Sequence, residues 1–124
     1  MLREYRWEDE DTLRKIHAKY FAQEFSFPDF ATGFLCAFTI EDENGIITTG
    51  GIRPLAEAIV ITNKERNVYD RRQSLLQILD ALAYCAGSSG FRQMTAFVQD
   101  KKWEKRLIRS GFNYTKGTSL YLNL

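Results

Sequence analysis

The feature that most limits how this chain can fold is a hairpin signal near its middle. Residues 35–40 form an apolar run with Thr39 as its one polar member, and Glu43-Asn44-Gly45 follows as a turn whose Asn and Gly tolerate positive φ. Residues 46–53 then supply the partner strand. Inside that partner, Gly50-Gly51 predicts either a bulge or a close approach of another group to the backbone. Around the hairpin, residues 2–6 read as a short strand and residues 56–62 as another, centred on Ile59-Val60-Ile61.

Helical spacing marks three further segments. Asp9 or Asp11 can cap a helix in which Leu13, Ile16, His17 and Tyr20 recur on one face through about Ala22. Residues 71–86 carry Leu75, Ile78, Leu79, Leu82 and Ala86 on one face, with Gly87 near the end. Residues 101–110 form a helix stopped by Gly111, with Trp103 and Leu107 facing inward. The Phe-rich stretch from Phe21 to Phe30, broken by Pro28, predicts a short helix or turn. Residues 94–98 and 118–122 complete the strands, with 113–116 as another candidate. Strands alternating with helices in the second half predict a mixed α/β (α+β) sheet.

Composition narrows the function classes. At 124 residues the chain has the size of one compact domain. Seventeen Lys and Arg against sixteen Asp and Glu give a net charge of +1, so the basic surplus typical of nucleic-acid binders is missing. No apolar run approaches the ~20 residues of a membrane span, and the first residues have no apolar signal core. Cys36 and Cys85 lie in apolar segments and read as reduced, buried thiols of a cytoplasmic protein. One His and two separated Cys give no metal constellation. Nor is there a nucleophile elbow of the hydrolase kind.

One stretch is informative as a whole: Phe97-Val98-Gln99-Asp100-Lys101-Lys102-Trp103-Glu104-Lys105-Arg106-Leu107-Ile108-Arg109-Ser110-Gly111-Phe112. It resembles the strand, Asn, helix and Gly-Phe pattern that ends the GNAT-type N-acetyltransferase superfamily, and Arg3-Glu4-Tyr5-Arg6-Trp7-Glu8-Asp9 resembles the family's opening strand and helix. The resemblance implies a single GNAT-like domain over residues 1–124. Its central, mostly antiparallel sheet would have six to seven strands, splayed between the fourth and fifth, with about four flanking helices.

It also implies acetyl-CoA as co-substrate, no metal, and direct transfer of the acyl group to a small-molecule or peptide amine. No nucleic acid or membrane partner is implied, and a homodimer is compatible with it. By resemblance, Val60, Ile61 and Thr62 would hold the pantetheine, and Asn67, Val68, Tyr69, Asp70, Arg71 and Arg72 the pyrophosphate. Here the chain departs from the family. The loop contains no glycine, Asp70 and Arg72 stand at glycine positions, and Asn67 stands where the family has Arg or Gln. Asp70 would compete with a phosphate or cap the helix, while Lys64, Arg66, Arg71 and Arg72 could grip it through side chains.

Glu57 is the candidate general base, weighed against a solvated carboxylate at a strand end. Leu107 occupies the position of the family's frequent Tyr acid. Asp100 occupies that of its Asn, either touching pantetheine or capping the last helix. By resemblance, Phe25, Phe27 and Phe30 would wall the acceptor cleft, with packing beneath a short helix or a dimer contact as the other readings. His17, on an apolar face, reads as a packed histidine. The alternative to an enzyme is a catalytically silent domain that serves binding or assembly.

Overall fold

The computed structural model describes residues 1–124, which form two compact units, Met1–Pro54 and Leu55–Leu124. In the first, β1 (Leu2–Glu4) leads through a 3-10 turn (Trp7–Asp9) into α1 (Glu10–Tyr20), followed by β2 (Cys36–Asp42) and β3 (Gly45–Ile52). The three strands make an antiparallel sheet in the order β1-β2-β3. Gly45, at φ 120°, supplies the left-handed backbone of the hairpin turn, and Asp42 Oδ1 accepts from the Asn44 amide at 2.8 Å. The register shifts between Ile40 and Glu41, whose partners are Thr48 and Ile46, leaving Ile47 as the extra residue. The bulge therefore sits at Ile47, while Gly51 provides the close approach. A Cβ there would lie 2.7 Å and 2.9 Å from the Phe34 ring and 3.0 Å from the Cys36 carbonyl.

Arg3 ties this unit together. Its Nε and Nη2 donate to Glu41 at 2.7 and 2.9 Å, its Nη1 and Nη2 donate to Asp9 at 2.8 Å each, and Nη1 also reaches the Glu4 carbonyl. All five guanidinium N–H groups are thus engaged, in the fork geometry that only Arg offers. Asp9 is buried and also accepts from the Arg6 amide at 2.9 Å. Its carboxyl is held below the ordinary range chiefly by the hydrogen bonds from Arg3, against the opposing effect of burial. The same donor lowers Glu41, and the two carboxylates raise Arg3 in return. Asp9 precedes α1 as expected of a cap, but its side chain serves Arg3 instead of the first helical turn. Across the β2–β3 ladder, Thr39 is fully buried and its hydroxyl meets that of its partner Thr49 at 2.9 Å.

In the second unit, β4 (Ala56–Glu57) pairs in parallel with β5 (Met94–Thr95), and α2 (Val68–Ser88) and α3 (Lys101–Arg109) surround them. Leu75, Leu79 and Leu107 form its buried core, with Val60, Met94, Ala96, Trp103 and Phe112 packed against them. Leu75 and Leu79 fall at i and i+4, the spacing that aligns side chains along one helix face. Ile78, expected on the same face, is 43% exposed. Gly111 stops α3 at φ 105°. No helix is long and apolar enough to cross a membrane.

Several expectations are corrected. A sheet of six to seven strands with about four flanking helices is not present. The chain has five strands in a three-stranded antiparallel and a two-stranded parallel sheet, with three α-helices. Pro54, which lacks an N–H donor, falls between β3 and β4, and the segment expected as a strand over 56–62 pairs only at its first two residues. The closing strand over 118–122 is absent. Leu120, Tyr121 and Leu122 are 83–90% exposed, and apolar residues make a strand only where a neighbouring ladder takes up their backbone. Phe21 to Phe30 forms turns and irregular chain, not a helix. Cys85 is exposed and Cys36 half-buried, and both are free.

Asp9→Asn leaves part of the Arg3 fork unpaired and should destabilise by about 1–3 kcal/mol in chemical denaturation. Because Asp9 and Glu41 are lowered in the folded chain, the unfolded chain binds protons first on acidification. Stability should be full above about pH 5 and fall as pH drops through 4 and below, with a shallower acid limb in Asp9→Asn. The glycine pair should separate cleanly by thermal melting. Gly51→Ala forces the Phe34 ring aside and should cost about 1–3 kcal/mol, whereas Gly50→Ala meets nothing within 4 Å and should be neutral or mildly stabilising.

Candidate functional site

Two adjoining concavities of the second unit flank Ile59 and Val60, just past the point where β4 and β5 part. The last ladder bond runs from the Ala58 amide to the Thr95 carbonyl at 2.8 Å. Beyond it, Ile59 to Thr62 and Ala96 to Val98 carry no strand pairing. A cleft of about 250 Å³ opens between the two segments and is floored by Leu79, Leu107, Trp103 and Phe112. Glu57, Val60 and Asp100 lie on it, so three of the predicted residues share one cleft. Glu57 is exposed. Asp100 Oδ1 accepts from the Lys102 amide at 2.8 Å and caps α3, which engages one of its two carboxylate oxygens.

On the other side of Val60 lies a larger groove, about 660 Å³, between residues 59–63 and the first turns of α2. Of the residues proposed from the sequence to hold the cofactor, Val60, Ile61, Thr62, Asp70 and Arg71 line it, together with Arg66. Asn67, Val68, Tyr69 and Arg72 do not, and Val68 and Tyr69 are 54% and 72% exposed. Asn63, Ser74 and Gln77 line it too and were not foreseen. The signal for Ser74 was available, because Arg71, Ser74, Leu75 and Ile78 stand at i, i+3, i+4 and i+7 and so share one helix face.

The helix start explains which groups point into the groove. Asn67 caps α2, its Oδ1 accepting from the Asp70 amide at 2.8 Å, which places the helix start ahead of the predicted Arg71. Asp70 in turn accepts from Asn67 Nδ2 at 3.0 Å and from Arg66 at 3.1 Å. Asn67, not Asp70, is the cap. The negative charge of Asp70 lies in the first turn, where the helix dipole favours it. Arg71 is the exception. It lies in the same turn, where a cation is disfavoured, and its Nε is buried with no acceptor.

Phe25, Phe27 and Phe30 belong to the first unit and line a separate cavity of about 240 Å³ with Leu13, Ile16 and His17. His17 Nε2 donates to the Phe25 carbonyl at 2.6 Å, and its ring meets those of Phe25 and Phe27 edge-on at 5.2 and 5.6 Å. The Arg14 guanidinium lies 4.4 Å from the Phe27 ring centre. His17 is therefore a packing residue held by aromatic neighbours. No cluster of three His, Cys, Asp or Glu side chains forms a metal-holding group. No protein-family model, curated protein or solved structure matches this chain.

Removing the cap tests this reading of the groove. Asn67→Ala should cost about 1 kcal/mol of stability and fray the first turn of α2, raising amide exchange at Val68 to Arg71 while residues 75–88 stay protected.

Proposed function

We propose that this chain binds acyl-CoA in the second unit and passes the acyl group to an amine, the chemistry of the GNAT superfamily that its sequence resembles. One observation carries the reading. The strand freed from its ladder at Ala58 runs along a groove to Arg71, whose buried Nε lacks an acceptor. Unpaired backbone groups over Ile59 to Thr62 suit the amides of pantetheine. A guanidinium fork at the groove's end suits a pyrophosphate, with Arg66 beside it. Acetyl-CoA is the simplest such co-substrate, and no metal enters the scheme.

In the reaction, the amine nitrogen attacks the thioester carbonyl, the C–N bond forms, and the C–S bond breaks to release CoA as its thiolate. Glu57, on the cleft, takes the proton lost by the amine, directly or through one water. The thiolate leaves protonated by solvent, since Leu107 offers no donor at the family's Tyr position.

A second reading, a binding module without turnover, is favoured by the first turn of α2. Asn67 already occupies the Asp70 amide, and the Asp70 carboxylate lies where a phosphate would approach. Calorimetry with acetyl-CoA and CoA separates the possibilities. Binding at micromolar Kd, about −8 kcal/mol, should weaken at least about tenfold in Arg71→Ala. Glu57→Gln should keep that binding and lose about 10²–10⁴-fold in acylation of an amine panel. Binding with no turnover on any amine supports the module. No binding at millimolar ligand overturns the acyl-CoA reading.

A further inference from the structure

The outer face of α3 is a basic stripe that the acyl-CoA reading leaves unused. Lys102, Lys105, Arg106 and Arg109 stand at i, i+3, i+4 and i+7, so they share one helix face, and all four are exposed. Leu107 is buried and Trp103 half-buried on the opposite side, in the core of the unit. The stripe is about 10 Å long at 1.5 Å per residue. None of its four cations has a carboxylate within ion-pair distance, because Glu104, the helix's single acid, pairs with Lys101 at 3.5 Å. Five cations against Glu104 give α3 a charge of +4, whereas the whole chain is +1, so the other residues sum to −3.

The geometry points to α3 as a docking face for a short acidic polypeptide segment, one that presents Asp or Glu side chains to these four residues. Charge complementarity sets the sign of the partner, and the local character of the charge sets its length. Beyond about 8 Å, the screening distance at physiological salt, the stripe's field gives way to that of the residues outside α3, which sum to −3. An extended polyanion such as a nucleic-acid strand would overrun the stripe. It would also find no aromatic stacking platform on it, since the only aromatic residue of α3 is Trp103, packed in the core. A membrane surface is disfavoured for a related reason. The apolar face that would enter a bilayer is already spent on Leu75 and Leu79. Arg106 and Arg109 add planar forks that suit carboxylates, one turn apart like carboxylates at i and i+3 of a partner helix.

The test uses the full chain and a fluorescent peptide rich in Glu and Asp, followed by anisotropy at rising ionic strength. The probe should bind, weaken with salt, and weaken at least about tenfold in Lys102→Gln/Lys105→Gln/Arg106→Gln/Arg109→Gln. A charge-matched control, Lys15→Gln/Lys19→Gln/Lys116→Gln/Arg53→Gln, should bind within about twofold of the unaltered chain. Circular dichroism confirms that each variant is folded, and Lys102→Gln/Lys105→Gln serves where the fourfold change is not. Equal weakening by stripe and control variants overturns the proposal, as does no peptide binding at low salt. Tighter, stripe-dependent binding of duplex DNA or of phosphatidylserine vesicles than of the peptide overturns it in favour of those partners. None of these readouts involves CoA, so this proposal and the acyl-CoA reading stand or fall separately.

Discussion

The second unit depends on one apolar contact, the packing of Leu107 against Leu75 and Leu79. Three buried leucines are a small core, worth on the order of 1.5–3 kcal/mol per side chain before entropy is counted. Their positions nonetheless decide the rest. Leu75 shares its helix face with Arg71, Ser74 and Ile78, so turning it toward the core brings all three to the groove that it helps to line. Burying Leu107 turns Lys102, Lys105, Arg106 and Arg109 outward on α3. The groove and the basic stripe are both consequences of where three leucines point.

The first unit is held differently. Arg3 of β1, Asp9 of the 3-10 turn and Glu41 of β2 come from three separate elements, and one guanidinium joins them. Half-buried charge networks hold a geometry more than they add net stability, because desolvation offsets much of the attraction. The gain here is positional. Arg3 fixes the strand that opens the chain against the hairpin and sets the start of α1, which in turn seats His17 beside Phe25 and Phe27.

What the sequence made legible divides along the same line. Local chemistry read well: the Asn44-Gly45 turn, the close approach at Gly51, the inward Leu75 and Leu79, the Asp100 cap and the Gly111 stop each rest on one residue's intrinsic preference. Strand extent read poorly. Residues 59–62 and 118–122 have β-forming composition, but a strand needs a partner edge, and edges are not written in local composition. The Arg3 network was invisible for the same reason, since its members are 6 and 38 residues apart in sequence. At the candidate site, Glu57, Val60 and Asp100 share one cleft, while Asn67, Val68, Tyr69 and Arg72 lie outside the neighbouring groove, with Asn67 capping α2.

That cap bears on how an anion could bind at all. A glycine-rich loop presents bare backbone N–H groups to phosphate oxygens, and its affinity comes from many weak, preorganised donors. Here Asn67 consumes one of those donors and Asp70 adds a negative charge to the same turn. Backbone recognition is therefore weakened twice. On the acyl-CoA reading proposed above, what remains is a side-chain mode in which Arg71, whose buried Nε has no acceptor, would supply charge and geometry. A site of this kind should depend strongly on a single arginine and on ionic strength, where a glycine cradle depends on neither to the same degree. If an anion binds at this turn, the absence of glycine shifts its recognition from backbone N–H groups to Arg71.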